Sequence, residues 1–597
     1  MKVKDEQIKI ILNDFNKGKT SHAFNQLAKL LKKNPEDLDY IYTYAKMCIQ
    51  ISKLKESEKA LKFLLSKKSN SITYLHTLYS VYIKTNNIKE AEKYIIKLLA
   101  IDDNHYEANR DLGFIEYTKK NYNKSKNILE KIINNSSKDT FALNILGLIF
   151  YNTDLKEKSK NLFIRAIKVD ANNVDSYNNL GKIYYDYENL DKAFILFKKA
   201  YKINKIFPKT LVNIGNYLSL KDKNIFANKA YQLAIKYGGA SSEIYANISI
   251  NYARLRDFEN CKKNYIKATQ NNGFFPSLDL SLAYLFIYKN QYKKAWPLFK
   301  SRLITSNFFK KDENKLIVHK ILNTKNKKIK NFDKKILVLR EQGIGEEILF
   351  SSMYSDLLAE GKNIKIECDE RLLKIFERSF LKKVFVPDGT YSRKQKQLDK
   401  FDEIIFNGSL CEYFRNEINA FPKNSYLIDD VKKTDQINKI LKSKDKKINV
   451  GLSWKSVVSV YGKLKSLNLI DFKGIFLNER QIINVQYGNI KNEIRVAQNH
   501  NLDLFTFDKI DLFNDLDSLM SILKNLDVFL TVSNSTAHLA ASMGIKTIII
   551  CPKKSSTYFY WSNEKNLIPW YKNVTVLKID KSIQETIKKA NGIIDNV

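Results

Sequence analysis

The chain has 597 residues, 44% of them hydrophobic and 12% aromatic, with a formal net charge of +37. It is too long for one core and too apolar for disorder over most of its length, so roughly two to four domains are expected. The lysine-dominated charge is spread along the whole chain, which argues against a nucleic-acid surface and leaves weak, peripheral attraction to anionic membranes as its by-product.

The first half repeats. Gly113, Gly147, Gly181 and Gly215 lie 34 residues apart, each after an apolar residue. On the same ruler fall the small residues Ala23, Ser57, Ala91, Ser125, Ser159, Ala193, Ala227, Cys261 and Ala295. Four positions after each small residue comes a large apolar one, from Leu27 and Leu61 through Phe163 and Phe197 to Phe299. Small residues let two helices approach closely, and large ones fill the gap to the next pair. Residues 4–309 are thus expected to form about nine helical hairpins. The stretch DSYNNLGKIYYDYENLDKAFILFKKAYKIN resembles the 34-residue tetratricopeptide repeat through Tyr177, Leu180, Gly181, Tyr184, Ala193, Phe197 and Ala200. Such a solenoid implies a protein or peptide partner in its groove. Asn179, Asn213 and Asn247 recur at the same step and offer amides to an extended peptide, or are simply common at that repeat position.

A polar joint at 310–334 follows, and then the period changes. KILVL reads as a buried strand, QGIGEE as a glycine turn into the helix EEILFSSMYSDLLAEG, and NIKIECD as a second strand, a βαβ opening that predicts a doubly wound parallel sheet over 335–430. Gly343 and Gly345 are present, but Ile348 stands where a dinucleotide fingerprint needs a third glycine. The charged stretch 431–447 is read as a linker to a second half, 448–597, opening on INVGLSW. RQIINVQYG follows, and then VSNSTAHLAASMG lies between two apolar runs as a strand, a polar turn and a helix. Its surplus of hydroxyls and amides points the helix N-terminus at an anion. The DLD at Asp515 to Asp517 mimics a metal motif, but Asp517 is read as the N-cap of SLMSILKNL. The histidines of this half are too dispersed for a ligand set, so no metal is expected.

The segments REQGIGEEILFSSMYSDLLAEG, VGLSWKS, SLNLIDF, NVQYGN, DLFNDLDSLMSILKNLDVFLTVSNSTAHLAASMG and IPWYKNVTVL occur in one order. Together they resemble the catalytic region of bacterial tetratricopeptide-repeat proteins related to glycosyltransferase family 9, the heptosyltransferases, over nearly all of 335–580. The layout is also similar to protein O-GlcNAc transferases. The resemblance implies an all-α tetratricopeptide solenoid followed by an α/β GT-B domain of two Rossmann-like halves. It also implies an inverting transfer from a nucleotide sugar, with no cofactor, to a glycan or polypeptide acceptor. Asn534, Ser535, Thr536 and His538 then hold the donor phosphates, with Lys455 beside them. The family's catalytic aspartate position is Glu346 here, followed by Glu347. Glu346 either takes the acceptor proton or complements the helix dipole. Gly343, Gly345, Trp454, Gln486, Tyr487, Trp561 and Trp570 are candidate cleft-lining residues. The departure from aspartate leaves a second class open, a repeat scaffold whose transferase domain no longer turns over. Five scattered cysteines without a CxxC pair fit a reducing cytoplasm, and the opening MKVKDEQIKIILNDF lacks the apolar segment of a signal peptide. No apolar run reaches the length of a membrane span.

Overall fold

The computed structural model describes residues 2–136, 138–270, 273–305, 333–341, 343–393, 395–442, 448–456, 462, 465–551 and 559–597. They form two compact units, Met1–Leu218 with Lys229–Gly239, and Ser219–Asn228 with Ala240–Val597. Among the described residues no helix is long and apolar enough to cross a membrane.

Among the described residues helices run in nine successive pairs, from Lys2–Asn16 with Thr20–Lys33 to Pro276–Tyr288 with Tyr292–Phe299. The 34-residue ruler has a direct steric cause. A Cβ on Gly113, Gly147, Gly181 or Gly215 would stand 2.4–2.7 Å from Leu129, Phe163, Phe197 or Tyr231, the large residue of the partner helix. All nine small residues of the ruler are fully buried. At two of the three serines of the ruler the side chain also closes the pair, Ser125 Oγ donating to the Gly113 carbonyl at 2.6 Å and Ser159 Oγ to that of Gly147 at 2.7 Å. The turn between paired helices needs one left-handed residue, and this too recurs every 34 positions, at Gly18, Ser52, Asn86, Lys120, Asp154, Glu188, Asp222, Arg256 and Asn290. Only the first is glycine, so composition hides this turn from sequence inspection.

In the first unit the recurring asparagines join one repeat to the next. Asn179, nearly buried, donates to Asn144 Oδ1 at 3.3 Å and accepts from Lys209 Nζ at 2.8 Å. Asn213 donates to Asn178 Oδ1 at 2.9 Å, and Asn178 donates to Thr210 Oγ1 at 2.8 Å. These amides therefore satisfy each other between helices instead of facing a groove, because a buried amide needs a partner at hand.

The second unit holds two all-parallel sheets. The first contains β1 (Ile336–Leu339), β2 (Ile364–Cys368), β3 (Phe385–Pro387) and β4 (Glu403–Phe406), in the order β3-β2-β1-β4. The second contains β5 (Ile448–Ser453), β6 (Arg480–Asn484), β7 (Leu504–Phe505), β8 (Val528–Val532), β9 (Thr547–Cys551) and β10 (Val574–Lys578), in the order β10-β9-β8-β5-β6-β7. Counted within each half, these orders are 3-2-1-4 and 6-5-4-1-2-3, the doubly wound pattern whose direction reverses between the first and fourth strands. β1 and β8 are buried at every position, as expected for strands covered on both faces.

Three sequence expectations change here. The stretch 431–447 is not only a linker, for Val431–Leu441 is a helix capped by Asp430, with Ile437 and Leu441 buried one turn apart against the Leu516–Lys524 helix. The helix expected after the glycine turn is broken into Ile344–Ser351 and Tyr354–Glu360. The last helical pair, assigned to the solenoid, shares its core with the first sheet: Tyr292, Trp296 and Phe299 cluster with Ile336, Val338 and Phe350, and Trp296 Nε1 donates to the Arg415 carbonyl at 2.8 Å. The joint at 310–334 lies almost wholly outside the described residues.

Gly181→Ala is expected to cost roughly 1–3 kcal/mol by overpacking against Phe197. Glu188→Gly, relieving left-handed strain in the turn of the same pair, is expected to be neutral or stabilising. Chemical denaturation of the two variants checks this contrast.

Candidate functional site

A cavity of about 960 Å³ opens in the second unit beyond the carboxyl ends of β1, β6 and β8, next to the positions where both strand orders reverse. Two helix N-termini meet there. The Ile344–Ser351 helix starts after Gly343, and the Ser535–Ser542 helix starts after Asn534. They touch at Gly345, where a Cβ would lie 3.0 Å from His538 Cδ2 and 3.3 Å from Ser535 Cα. A side chain at Gly345 would crowd that approach, whereas a Cβ on Gly343 would meet nothing within 4 Å.

The VSNSTAH turn divides its labour. Asn534 is the N-cap, accepting from Ala537 N–H at 3.0 Å and donating to Ser453 Oγ at 2.8 Å, so its side chain is occupied in joining β8 to β5. Ser535 Oγ donates to Tyr487 Oη at 3.3 Å on the cavity wall. Thr536 is 2% exposed and borders the cavity, yet its hydroxyl has no hydrogen-bond partner. A buried hydroxyl without a protein partner at a helix start is a group that water or a bound ligand can satisfy. His538 also borders the cavity, stacked on Trp561 with ring centroids 4.5 Å apart and bonded through Nδ1 to Tyr571 Oη at 2.9 Å. Burial, then the charge of Lys465, holds its imidazole down to about 3, so it is neutral at physiological pH.

The two glutamates behave differently. Glu346 is half-buried and borders the cavity. Burial and repulsion from Glu341 push its carboxyl up to about 7, against the opposing Gly343 backbone and the charges of Lys465 and Arg302. Glu347 points away from the cavity into the core. Its carboxylate accepts from Asp369 N–H at 2.8 Å and lies 2.9 Å from Arg340 Nε. Burial raises it to about 7 as well, with Arg340 opposing. Consecutive helical residues face about 100° apart, so only one of the pair can reach the cavity. Glu347 is a buried anchor for Arg340.

Other expected site residues are displaced too. Lys455 does not border the cavity, and its Nζ is taken up by the Asn489 carbonyl at 3.0 Å and by Glu493. Its neighbour Ser456 borders the cavity instead, since Gln486 Oε1 accepts from Ser453 Oγ, Trp454 N–H and Lys455 N–H at 2.8–3.0 Å and fixes the chain direction there. Gln486 and Trp454 are buried structural residues, and Trp561 lies beneath His538, donating to Ser533 Oγ at 2.9 Å. Trp570 packs edge-on to Phe421 at 4.8 Å. Of the candidate cleft-lining set, Gly343, Gly345 and Tyr487 border the cavity. The DLD motif is helix capping, but by Asp515, which accepts from Ser518 N–H at 3.0 Å, while Asp517 pairs with Arg378. Among the described residues no group of three or more His, Cys, Asp or Glu side chains is arranged to hold a metal ion.

The cations at the cavity are residues that the sequence did not single out: Arg302, Arg340, Arg371 and Lys465. Lys465 lies near Glu346, and burial brings its ammonium down to about 8 despite the carboxylate's pull. Nothing in the local sequence distinguishes this lysine from its many neighbours. Arg371 is held in place by Asp369, donating from Nε at 2.8 Å, and by the Phe513 ring, 4.8 Å from the guanidinium. Such a wall, cationic on one side and carrying Leu512, Phe513, Leu516 and Leu519 on another, suits an anion attached to an apolar or planar group.

Residues 174–207 match the tetratricopeptide repeat model. The helical half is a tetratricopeptide-repeat solenoid. Protein FlbA of Caulobacter vibrioides is 27% identical over 262 residues, which are 40% of this chain and 42% of FlbA, so the chain spans about four-tenths of that relative's length. A tetratricopeptide repeat protein from Parabacteroides merdae is 18% identical, over 41% of this chain and 98% of its own, with a TM-score of 0.37. YrrB, described as a TPR protein with an unusual peptide-binding site, is 20% identical over 31% of this chain and 95% of its own, with a TM-score of 0.27.

The raised Glu346 carboxyl makes a signed prediction. Its ordinary value is 4.5 and its folded value about 7. The ionised form therefore opposes folding, and the stability present below pH 4.5 is lost as pH rises through 7. Glu346→Gln cannot ionise, so its melting temperature is expected to gain on the parent between pH 5 and pH 8. Thermal unfolding of both proteins across that range measures it.

Proposed function

We propose that residues 335–597 form a GT-B glycosyltransferase acting on a nucleotide-sugar donor without a metal ion, and that the repeats bind a protein partner or the acceptor. The observation that carries this reading is one cavity. It combines an unpaired, buried Thr536 hydroxyl at a helix N-terminus with the Glu346 carboxyl, which titrates near neutrality. A sugar transfer needs those two functions. The helix N–H groups and the Thr536 hydroxyl take the diphosphate, with Lys465 offsetting the charge that develops as it leaves. Glu346 removes the proton from the acceptor hydroxyl as its oxygen attacks the anomeric carbon, and a single displacement inverts that centre. A carboxyl near pH 7 is well matched to that proton transfer. The neutral imidazole of His538 supplies shape and a hydrogen bond, not charge.

Tetratricopeptide repeats support a protein-contact role whatever the second unit does. A polypeptide threaded along them would make the enzyme a protein O-glycosyltransferase of O-GlcNAc-transferase type, whereas a glycan acceptor would leave the repeats to a separate partner. The alternative from a different class is a scaffold in which the cavity no longer turns over.

Thermal shifts of the full chain with UDP, GDP, ADP, CMP and dTDP test the donor site, since a ligand of the native state raises its stability in proportion to ln(1 + [L]/Kd). One nucleotide is expected to stabilise the protein. Thr536→Val is expected to leave the ligand-free protein as stable or more so, because it removes an unpaired buried hydroxyl. It should weaken that nucleotide roughly tenfold to a hundredfold by removing a hydrogen bond to a charged group. Absence of any shift at millimolar nucleotide would favour the scaffold.

A further inference from the structure

Arg302 belongs to the short helix Arg302–Thr305 that follows the last helical pair, yet it borders the same cavity as Glu346. Its side chain is 2% exposed and that of Glu341 is fully buried. The guanidinium forks onto this carboxylate, Nε to Oε2 at 2.9 Å and Nη2 to Oε1 at 2.7 Å. Nη1 also donates to the Phe299 carbonyl at 3.1 Å, and Nη2 to Ser409 Oγ at 2.8 Å. Gly408 N–H donates to Glu341 Oε1 at 2.7 Å, and a Cβ on Gly408 would lie 2.3 Å from that oxygen and 3.0 Å from Arg302 Nη2. Glycine is therefore required for the backbone to complete the cradle.

A fully desolvated ion pair is a weak source of stability, because the cost of removing both charges from water offsets their attraction. Its position suggests what it does. Glu341 lies two residues beyond β1, at the root of the turn that leads to Gly343, Gly345 and Glu346. We propose that Arg302 is a positioning residue for Glu346: by gripping Glu341 it fixes the turn that carries Glu346 and cancels the negative charge that would otherwise stand uncompensated beside it. The end of the repeat region is then part of the site, not a tether to it. This inference rests on Glu346 being the working carboxyl of the proposed transferase. Its electrostatic basis is that Glu341 raises the Glu346 carboxyl while Arg302 lowers it, with Glu341 the larger influence of the two.

The test is a thermodynamic cycle on the full chain. The pH at which the gain of Glu346→Gln over its own parent levels off, which is the midpoint of the Glu346 titration in the folded chain, is measured in four backgrounds: unmodified, Arg302→Met, Glu341→Gln and Arg302→Met/Glu341→Met. Glu341→Gln is expected to move that midpoint down by about one pH unit, and Arg302→Met to move it up by a similar amount. The double methionine variant, which buries no unpaired charge, should also move it down and covers the case in which Arg302→Met does not fold. A merely structural Arg302 would lower the melting temperature equally at every pH and leave the midpoint unmoved in all foldable backgrounds, which overturns the proposal. Nucleotide thermal shifts on the same proteins separate the two claims. A moving midpoint without nucleotide binding keeps the positioning role and removes the transferase, and nucleotide binding with a fixed midpoint does the reverse.

Discussion

The second unit depends on the contact between two helix starts across Gly345. A single Cβ there would intrude on His538 and on the backbone of Ser535. Gly345 follows β1 and Ser535 follows β8, so the contact joins the chain beyond the carboxyl end of a strand in one sheet to that in the other, each beside the position where the strand order reverses. The cavity follows from it, and so do the properties of its groups. Helix N-termini bring partial positive charge from one direction, while the surrounding core removes water from His538, Glu346 and Lys465 and drives each toward its neutral form.

Charge compensation is arranged around that constraint in layers. Glu347 faces inward to hold Arg340, Asp369 holds Arg371, and Glu341 is held by Arg302. The three guanidiniums all border the cavity but are each fastened by a carboxylate behind them. Two of those carboxylates come from the sequence immediately around the glycine turn, so REQGIGEE serves as a charge-ordered segment as well as a turn. Glu346, alone among its glutamates, faces the cavity.

The solenoid obeys a simpler rule. In four pairs one large side chain fills the space that one missing Cβ leaves, and in all nine a fully buried small residue lies where the helices cross. The same economy explains the asparagines. Asn144, Asn178, Asn179 and Asn213 lie where neighbouring repeats touch, and their amides are consumed by each other and by Thr210 and Lys209. The last helical pair keeps the repeat pattern on one side and donates Tyr292, Trp296 and Phe299 to the core of the first sheet on the other. Within the second unit this pair and the first sheet therefore share one packed core.

The sequence by itself determined the period of the solenoid, the apolar strands β1, β5, β6, β8 and β9, and the helix start after β8, because each is a local pattern: steric complementarity at a fixed step, continuous apolar runs, and a cluster of capping side chains. It also brought Glu346, Ser535, Thr536 and His538 to attention as residue types. Only the tertiary structure decided which of them share a space. Glu347 and Lys455 were as plausible as Glu346 in one dimension, yet helix rotation turns the first inward and the bonding of Gln486 turns the second aside. Lys465, Arg302, Arg340 and Arg371 carried no local signal, since a cation's role at a cavity depends on which distant chain segments remove its water and supply its counter-charge. Periodicity is written along the chain, whereas burial and charge pairing exist only between its parts.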